Sequence, residues 1–276
     1  MLAFPACKIN IGLQLTEHRA DGFHNLLSAF YPVGWSDVLE IIPASTFAFS
    51  TSGLPIPGPR GVGGNPDPAR NLCVRAYERL RDTHDLPPVK MHLHKVVPIG
   101  AGLGGGSADA AATINLLNTQ FSLNLTTNQR EAYARELGSD CAFFVQNRPQ
   151  YCVEKGDVFE EIDLNLSGYY IQLVYPNLAI STAEAYAGVT PHQPTVPLHT
   201  LLEAPIETWK ERVHNDFEDS LFPKYPVLAD IKQRLYDAGA IYASLTGSGS
   251  TIYGIFSAPP ERSAAFSRYT VWENKL

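Results

Sequence analysis

The sequence predicts an α+β protein of two domains, and three stretches carry that prediction. Cys7–Leu15 alternates apolar and polar residues as a strand does. Pro98–Ala112 packs glycines directly ahead of an alanine-rich run of strong helix propensity. Beyond Gly156, short apolar strands alternate with helical segments, the pattern of a sheet layered with helices. A chain of 276 residues that is 45% hydrophobic can bury a full core. We divide it into an N-terminal domain over 1–155 and a C-terminal domain over 156–276.

In the first strand, Cys7, Ile9, Ile11, Leu13 and Leu15 share one face and Lys8, Asn10, Gly12 and Gln14 the other. Residues two apart lie roughly 6.5 Å apart on one side of a strand. Lys8 and Asn10 can therefore reach one ligand together, although a half-exposed strand with a solvated polar face fits the same pattern. The turn at Asp21-Gly22 delivers Phe23 and His24 side by side. Such a pair can stack on a base and read its edge; a solvated loop histidine is the plain alternative. Leu26–Ile42 carries apolar runs for one or two strands around Val33-Gly34-Trp35. Ser52–Pro68 holds five prolines and five glycines, an irregular excursion rather than a domain linker.

Asn71 is placed to cap a helix over 72–81, with Val74, Tyr77 and Leu80 at helical spacing. Lys90–Val97 returns to a strand, and the glycine loop leaves from its end. Five of the nine residues Pro98–Gly106 are glycine, followed by a helix over 107–117. Glycine lets successive N–H groups converge on one anion, and a helix N-terminus adds the positive end of its dipole. The stretch reads as a phosphate cradle, with a tight turn capping an ordinary helix as the plain alternative. It lacks the Lys-Ser or Lys-Thr of a Walker loop, Phe121–Arg130 offers no acid for a dinucleotide ribose, and no H-R-D or D-F-G element follows.

Thr127 is placed to cap a further helix that stops at Gly138, and Ser139–Val145 then sets Asp140 against an apolar run. Asp140 is either a functional carboxylate, whose charged form burial opposes unless a cation or donors hold it, or an N-cap. Strands are expected over 169–175, 241–245 and 252–256, and helices over 182–187, 227–238 and 261–268. His214–Glu218 mixes capping residues and acids ahead of a helix. A second glycine turn, Leu245–Thr251, joins two strands, either as a simple hairpin or with its small polar residues lining a cleft.

A net charge of −7 argues against nucleic-acid or membrane partners, so a phosphorylated ligand must be met by local amides and a few lysines. The N-terminus has no basic region followed by a long apolar one, and no apolar run reaches membrane-spanning length, which points to the cytoplasm. Cys7, Cys73, Cys141 and Cys152 show no C-x-x-C spacing; reduced thiols and no structural zinc are expected.

Lys8-Ile9-Asn10, Ala20–His24, Pro98–Ala112, Gly138-Ser139-Asp140, Asn215-Asp216-Phe217-Glu218 and Thr246–Gly249, in that order, resemble the GHMP kinases, named for galactose, homoserine, mevalonate and phosphomevalonate kinases. The Ala-Asp-Gly-Phe-His element and the Gly-Leu-Gly-Gly-Gly-Ser run narrow the resemblance to members that phosphorylate a cytidyl diphosphate sugar alcohol on its 2-hydroxyl in the non-mevalonate route to isoprenoids. The resemblance spans nearly the whole chain. It implies an N-terminal domain like ribosomal protein S5 domain 2 and a ferredoxin-like C-terminal domain, with the active site in the cleft between them. It implies that Pro98, Gly100, Gly102, Leu103, Gly104, Gly105, Gly106 and Ser107 hold the phosphates of ATP, with Asn71 near the adenine and Lys95 near the nucleotide. Lys8 and Asp140 would be the catalytic pair, and Asn10, Phe23, His24 and Thr182 would face the cytidyl substrate. Mg2+ is implied alongside ATP with its ligands open, as is the choice between monomer and homodimer.

Ala108 stands where many relatives carry a second small hydroxyl, so any contact from that hydroxyl is absent. Two rivals remain. Another small-molecule kinase of the family, using homoserine, mevalonate or a sugar, leaves Phe23-His24 without a purpose. A non-catalytic nucleotide- or RNA-binding module leaves unexplained the acidic charge and the joint presence of Lys8, Asp140 and the loop.

Overall fold

The computed structural model describes residues 1–57, 67–261 and 264–276. Its strands are β1 (Leu2–Ala3), β2 (Ala6–His18), β3 (His24–Ser36), β4 (Val38–Pro43), β5 (Ala48–Gly53), β6 (Val89–Lys95), β7 (Gln150–Val153), β8 (Val158–Glu160), β9 (Tyr170–Tyr175), β10 (Tyr242–Leu245), β11 (Ile252–Phe256) and β12 (Thr270–Lys275). Its α-helices are α1 (Leu72–His84), α2 (Gly105–Gln120), α3 (Thr127–Leu137), α4 (Phe143–Gln146), α5 (Thr182–Ala187), α6 (Leu198–Leu202), α7 (Phe217–Lys224) and α8 (Pro226–Asp237). The chain packs into two compact units whose pieces interleave along the sequence. Met1–Cys7, Trp35–Ile99 and Gly104–Arg148 form the first; Lys8–Gly34, Gly100–Leu103 and Pro149–Leu276 form the second.

In the first unit the sheet runs β1-β4-β6-β5, antiparallel except for the parallel pair β5 and β6. Leu39, Ile41, Met91 and Leu93 alternate inward from β4 and β6, the period of two that a half-buried sheet demands. Helix α2 touches α1, α3, α4 and β4, and is buried around most of its circumference. Its alanines are the reason: Ala108, Ala110 and Ala111 let neighbouring elements approach closely at little entropic cost. Helix α1 starts on the expected cap, whereas α3 is capped one residue earlier than expected, by Thr126 rather than Thr127. Asn71 Oδ1 accepts from the Cys73 N–H, and Thr126 with Gln129 forms a capping box.

The second unit holds two four-stranded sheets, β2-β3-β7-β8 and β10-β11-β9-β12. In the latter, all neighbours are antiparallel and helix α8 lies against β10 and β11. Its spatial order, second-third-first-fourth strand, is that of a ferredoxin-like layer. Among the described residues of 261–268, no α-helix stands where one is expected. A single 3-10 turn, Ala264–Phe266, stands there instead, with residues 262–263 outside the described residues. Pro259 and Pro260 lack the N–H groups a helix needs, and the chain must enter β12 by Thr270, pairing it with Tyr175.

Of the proline-glycine excursion, Ser52 and Gly53 complete β5, a 3-10 turn occupies Pro68–Arg70, and 58–66 lie outside the described residues. Among the described residues no helix is long and apolar enough to cross a membrane. The four cysteines are buried thiols.

Candidate active site

Strand β2 is buried on both faces, so its polar side is no solvated surface: Lys8 and Asn10 are 3% and 2% exposed. Burying an amide requires partners for every group it carries, and Asn10 has them. Its Oδ1 accepts from the Lys8 ammonium, and its Nδ2 donates to Ser28 Oγ at 2.8 Å. Its backbone N–H donates to Thr246 Oγ1 at 3.1 Å, while its carbonyl accepts from the Tyr253 hydroxyl at 2.8 Å. Lys8 Nζ also lies 4.2 Å from the centre of the Phe30 ring, and the Lys8 N–H donates to the Leu103 carbonyl at 3.0 Å. Asn10 thus ties the Lys8 ammonium to the first half of the glycine loop.

That first half, Gly100–Leu103, belongs to the second unit, whereas Gly104 onward belongs to the first. Gly100, Gly102 and Gly104 have φ of 67°, 78° and 68°, so every second residue is left-handed. This alternation turns consecutive amides toward one side, the geometry of an anion nest. Pro98 and Leu103 are buried and anchor the loop, while Gly100 and Gly106 are exposed. Thr246 Oγ1 donates to the Gly102 carbonyl at 3.0 Å, and the Thr251 N–H donates to the Ala101 carbonyl at 3.2 Å. The second glycine turn is therefore both the β10–β11 hairpin and a support of the loop. Ser28 and Tyr253 carry no signal in the sequence, whereas Thr246 shows there through the polar composition of its turn and its place in the Thr246–Gly249 motif.

In the first unit, Ser107 and Asp140 gather around the buried thiol of Cys141. Burial drives that thiol up to about 11, a hydrogen bond with Ser107 opposes the rise, and the Asp140 charge adds to it, with Arg75 also near. Asp140 is half-buried within a 3-10 turn (Ser139–Cys141), whose cap is Gly138 rather than the aspartate. Gly105 and Ser107 open α2, and Asn71 spends its side-chain oxygen on capping α1. Lys95 is 3% exposed and its ammonium is taken by Asp37 and by Asp109, the latter at 2.8 Å. It reaches the loop from beneath: a β-carbon on Gly105 would stand 3.4 Å from Lys95 Nζ.

The aromatic turn is split in use. Phe23 is 59% exposed with Lys155 Nζ 5.5 Å from its ring centre. The His24 ring sits edge-on to His18 at 4.8 Å and tilted over Tyr186 at 5.0 Å, and Tyr186 in turn meets Phe217 at 4.9 Å. Burial, then the nearby His18, lowers the His24 pKa and favours the neutral ring. Tyr186 was missed in the sequence, where it is one tyrosine in a short helix. It lies one turn after the exposed Thr182, which opens α5.

Backbone amides that can meet an anion, an ammonium and a carboxylate are the kinds of group that phosphoryl transfer uses. The family models described as "GHMP kinases N terminal domain" and "GHMP kinases C terminal" match residues 71–148 and 199–270. The chain is 47% identical to the 4-diphosphocytidyl-2-C-methyl-D-erythritol kinase of Cytophaga hutchinsonii, over 95% of this chain and 94% of that one. It is 41% identical to the enzyme of the same name from Parabacteroides distasonis, over 100% of each. A crystal structure of 4-(cytidine 5'-diphospho)-2C-methyl-D-erythritol kinase superposes with a TM-score of 0.81 at 26% identity, covering 99% of this chain and 98% of that one. The two-domain α+β architecture and both family matches lead to one conclusion: this chain belongs to the GHMP kinases.

Proposed function

We infer that the protein catalyses ATP-dependent phosphorylation of 4-diphosphocytidyl-2-C-methyl-D-erythritol on its 2-hydroxyl, a step of the non-mevalonate route to isoprenoids. The observation that carries this is identity of 41–47% over essentially the full chain with relatives that bear that enzyme's name. The division into 1–155 and 156–276 is supported by the family matches, which fall one in each. With water-soluble substrates and a net charge of −7, we place the reaction in the cytoplasm with no nucleic-acid or membrane partner.

Phosphoryl transfer asks for in-line placement of the alcohol and for charge stabilisation, with little covalent work by the protein. We assign the β- and γ-phosphates of ATP to the amides of Gly100–Ser107, with the adenine toward Asn71 and Lys95 bracing the loop rather than touching nucleotide; the left-handed alternation of the glycines and the Lys95 ion pairs support this. Lys8 and Asp140 form the proposed catalytic pair. Asp140 accepts or orients the proton of the 2-hydroxyl, and the Lys8 ammonium stabilises the charge developing on the alkoxide and the transferred group. The network that holds Lys8 through Asn10 supports a fixed ammonium. His24, Phe23 and Tyr186 face the cytosine, with Asn10 and Thr182 on the rest of the substrate; the tilted contact between the His24 and Tyr186 rings supports an aromatic site for a flat base.

Among the described residues no cluster of three or more His, Cys, Asp or Glu side chains is arranged to hold a metal. We propose that Mg2+ would arrive with ATP, held by phosphate oxygens and its own waters, and would neutralise phosphate charge there. ADP release by purified protein with ATP and Mg2+ tests the whole reading. The cytidyl alcohol should be turned over, and mevalonate and homoserine should not; the reverse preference overturns it.

A further inference from the structure

Three ionisable side chains are sealed together beneath the glycine loop: Lys95 at the end of β6, Asp37 between β3 and β4, and Asp109 on α2, each 3% exposed or less. Asp37 is fully engaged. Its Oδ1 accepts from the N–H groups of Val96 and Val97 at 2.6 and 2.9 Å, and its Oδ2 accepts from Lys95. Asp109 is not. Its Oδ2 accepts from Lys95 at 2.8 Å, while its Oδ1 is buried with no partner. One cation cannot balance two buried carboxylates, so full ionisation leaves a stranded negative charge. The carboxyl with the idle oxygen is where a proton resides. Burial is the largest push on Asp109, the Lys95 ammonium pulls against it and the Asp37 charge adds to it, leaving the group at about 7.

The other groups near Asp109 do not compete for this role. The Cys73 thiol faces it from α1 and is driven far up by burial, hence neutral. On the elements packed against α2, Arg130 is bound to Asn115 and Thr127, Glu131 to Arg135 and Gln146, and Arg75 and Asp140 surround Cys141. Glu40 of β4 is exposed, on the face opposite the buried Leu39 and Ile41.

We propose that Asp109 is a positioning residue that couples the loop to protons: a polyphosphate bound at the loop draws a proton from solvent onto the Asp109 carboxyl. The proposal rests on reading the loop as the phosphate site. Asp109 lies four residues past Gly105, about 6 Å along α2, and Lys95 Nζ stands directly under Gly105. Negative charge arriving on the loop amides stabilises the protonated carboxyl, and by linkage the protonated carboxyl tightens phosphate binding. Affinity for ATP therefore weakens as pH rises through the range in which Asp109 ionises.

The test is calorimetry of ATP binding at about pH 8 in two buffers of different ionisation enthalpy, with wild type, Asp109→Asn and Asp37→Asn. Wild type takes up a fraction of a proton beyond that seen with D109N, which has no carboxyl to titrate. D37N keeps an oxygen for the Val96 and Val97 amides and leaves Asp109 ionised beside Lys95, so the uptake vanishes there too. Between about pH 6 and about pH 8.5 the wild-type Kd for ATP rises up to about tenfold relative to D109N, the change that one pH unit between the free and bound pKa values produces. A purely structural Asp109 would lower the melting temperature on mutation and leave the proton count unchanged. Equal uptake in all three proteins, or equal pH slopes, overturns the coupling, and D37N decides should D109N fail to fold. If wild type binds no ATP at all, the nucleotide reading falls and this proposal with it.

Discussion

The hydroxyl of Thr246 donates to the carbonyl oxygen of Gly102, and a β-carbon built on Gly102 would stand 2.1 Å from the carbonyl oxygen of Thr246. The two glycine turns of the second unit therefore meet backbone to backbone. Gly102→Ala forces them apart and also strains a φ of 78°. Gly100→Ala, at a φ of 67° with no atom within 4 Å of the new carbon, bears only the left-handed penalty of about 1–2 kcal/mol. Steady-state kinetics and thermal melting should show G102A losing both ATP affinity and stability, and G100A much less of each. Equal effects would mean that the turns do not support one another.

Asp140 lies half-exposed in a single 3-10 turn and caps no helix. Asp140→Asn should lower kcat by about 10²–10⁴, the range of general acid–base contributions, with a melting temperature near that of wild type. Wild-type turnover in this variant removes Asp140 from the mechanism.

The His24 and Tyr186 rings lie 5.0 Å apart. Tyr186→Ala should raise KM for the cytidyl substrate by about 3–10-fold, the equivalent of one aromatic contact, with KM for ATP unchanged. A parallel rise in both constants would place the tyrosine outside the base site.

Asp109 also makes stability depend on pH. Its folded value of about 7 exceeds the ordinary carboxylate value, so the folded state binds the proton more tightly than the unfolded chain. The resulting penalty is absent below about pH 4, grows between about pH 4 and about pH 7, and is complete above that range. It amounts to about 1.4 kcal/mol for each pH unit by which the folded value exceeds the unfolded one. Asp109→Asn escapes it. The melting temperature of D109N relative to wild type should therefore climb across that window; a constant difference would show that Asp109 titrates normally.

The alternation at Cys7–Leu15, the caps at Asn71 and Gly138 and the glycine run were legible because each is a local pattern with a local cause. The strand β2 was found, yet its burial was not, because the backbone of Asn10 is met by Thr246 and Tyr253, 236 and 243 positions further on. The Asp37–Lys95–Asp109 cluster was hidden for the same reason: 58 and 14 residues separate the lysine from its carboxylates. The helix expected over 261–268 was a local reading that took no account of the preceding prolines or the following strand, and the described residues there form a 3-10 turn at Ala264–Phe266. Tyr186 carries no signature of its own; only its ring neighbours reveal it.

The interleaving of the two units sets a timetable for the newborn chain. Asn10 leaves the ribosome 236 positions ahead of Thr246, which accepts its N–H. At about 5–20 residues per second, that is on the order of 12–47 s during which the founding strand of the second unit waits half-paired. A kinase assembled in this order is exposed to aggregation during its own synthesis, and slowing translation upstream of the β10–β11 hairpin should lengthen that exposure.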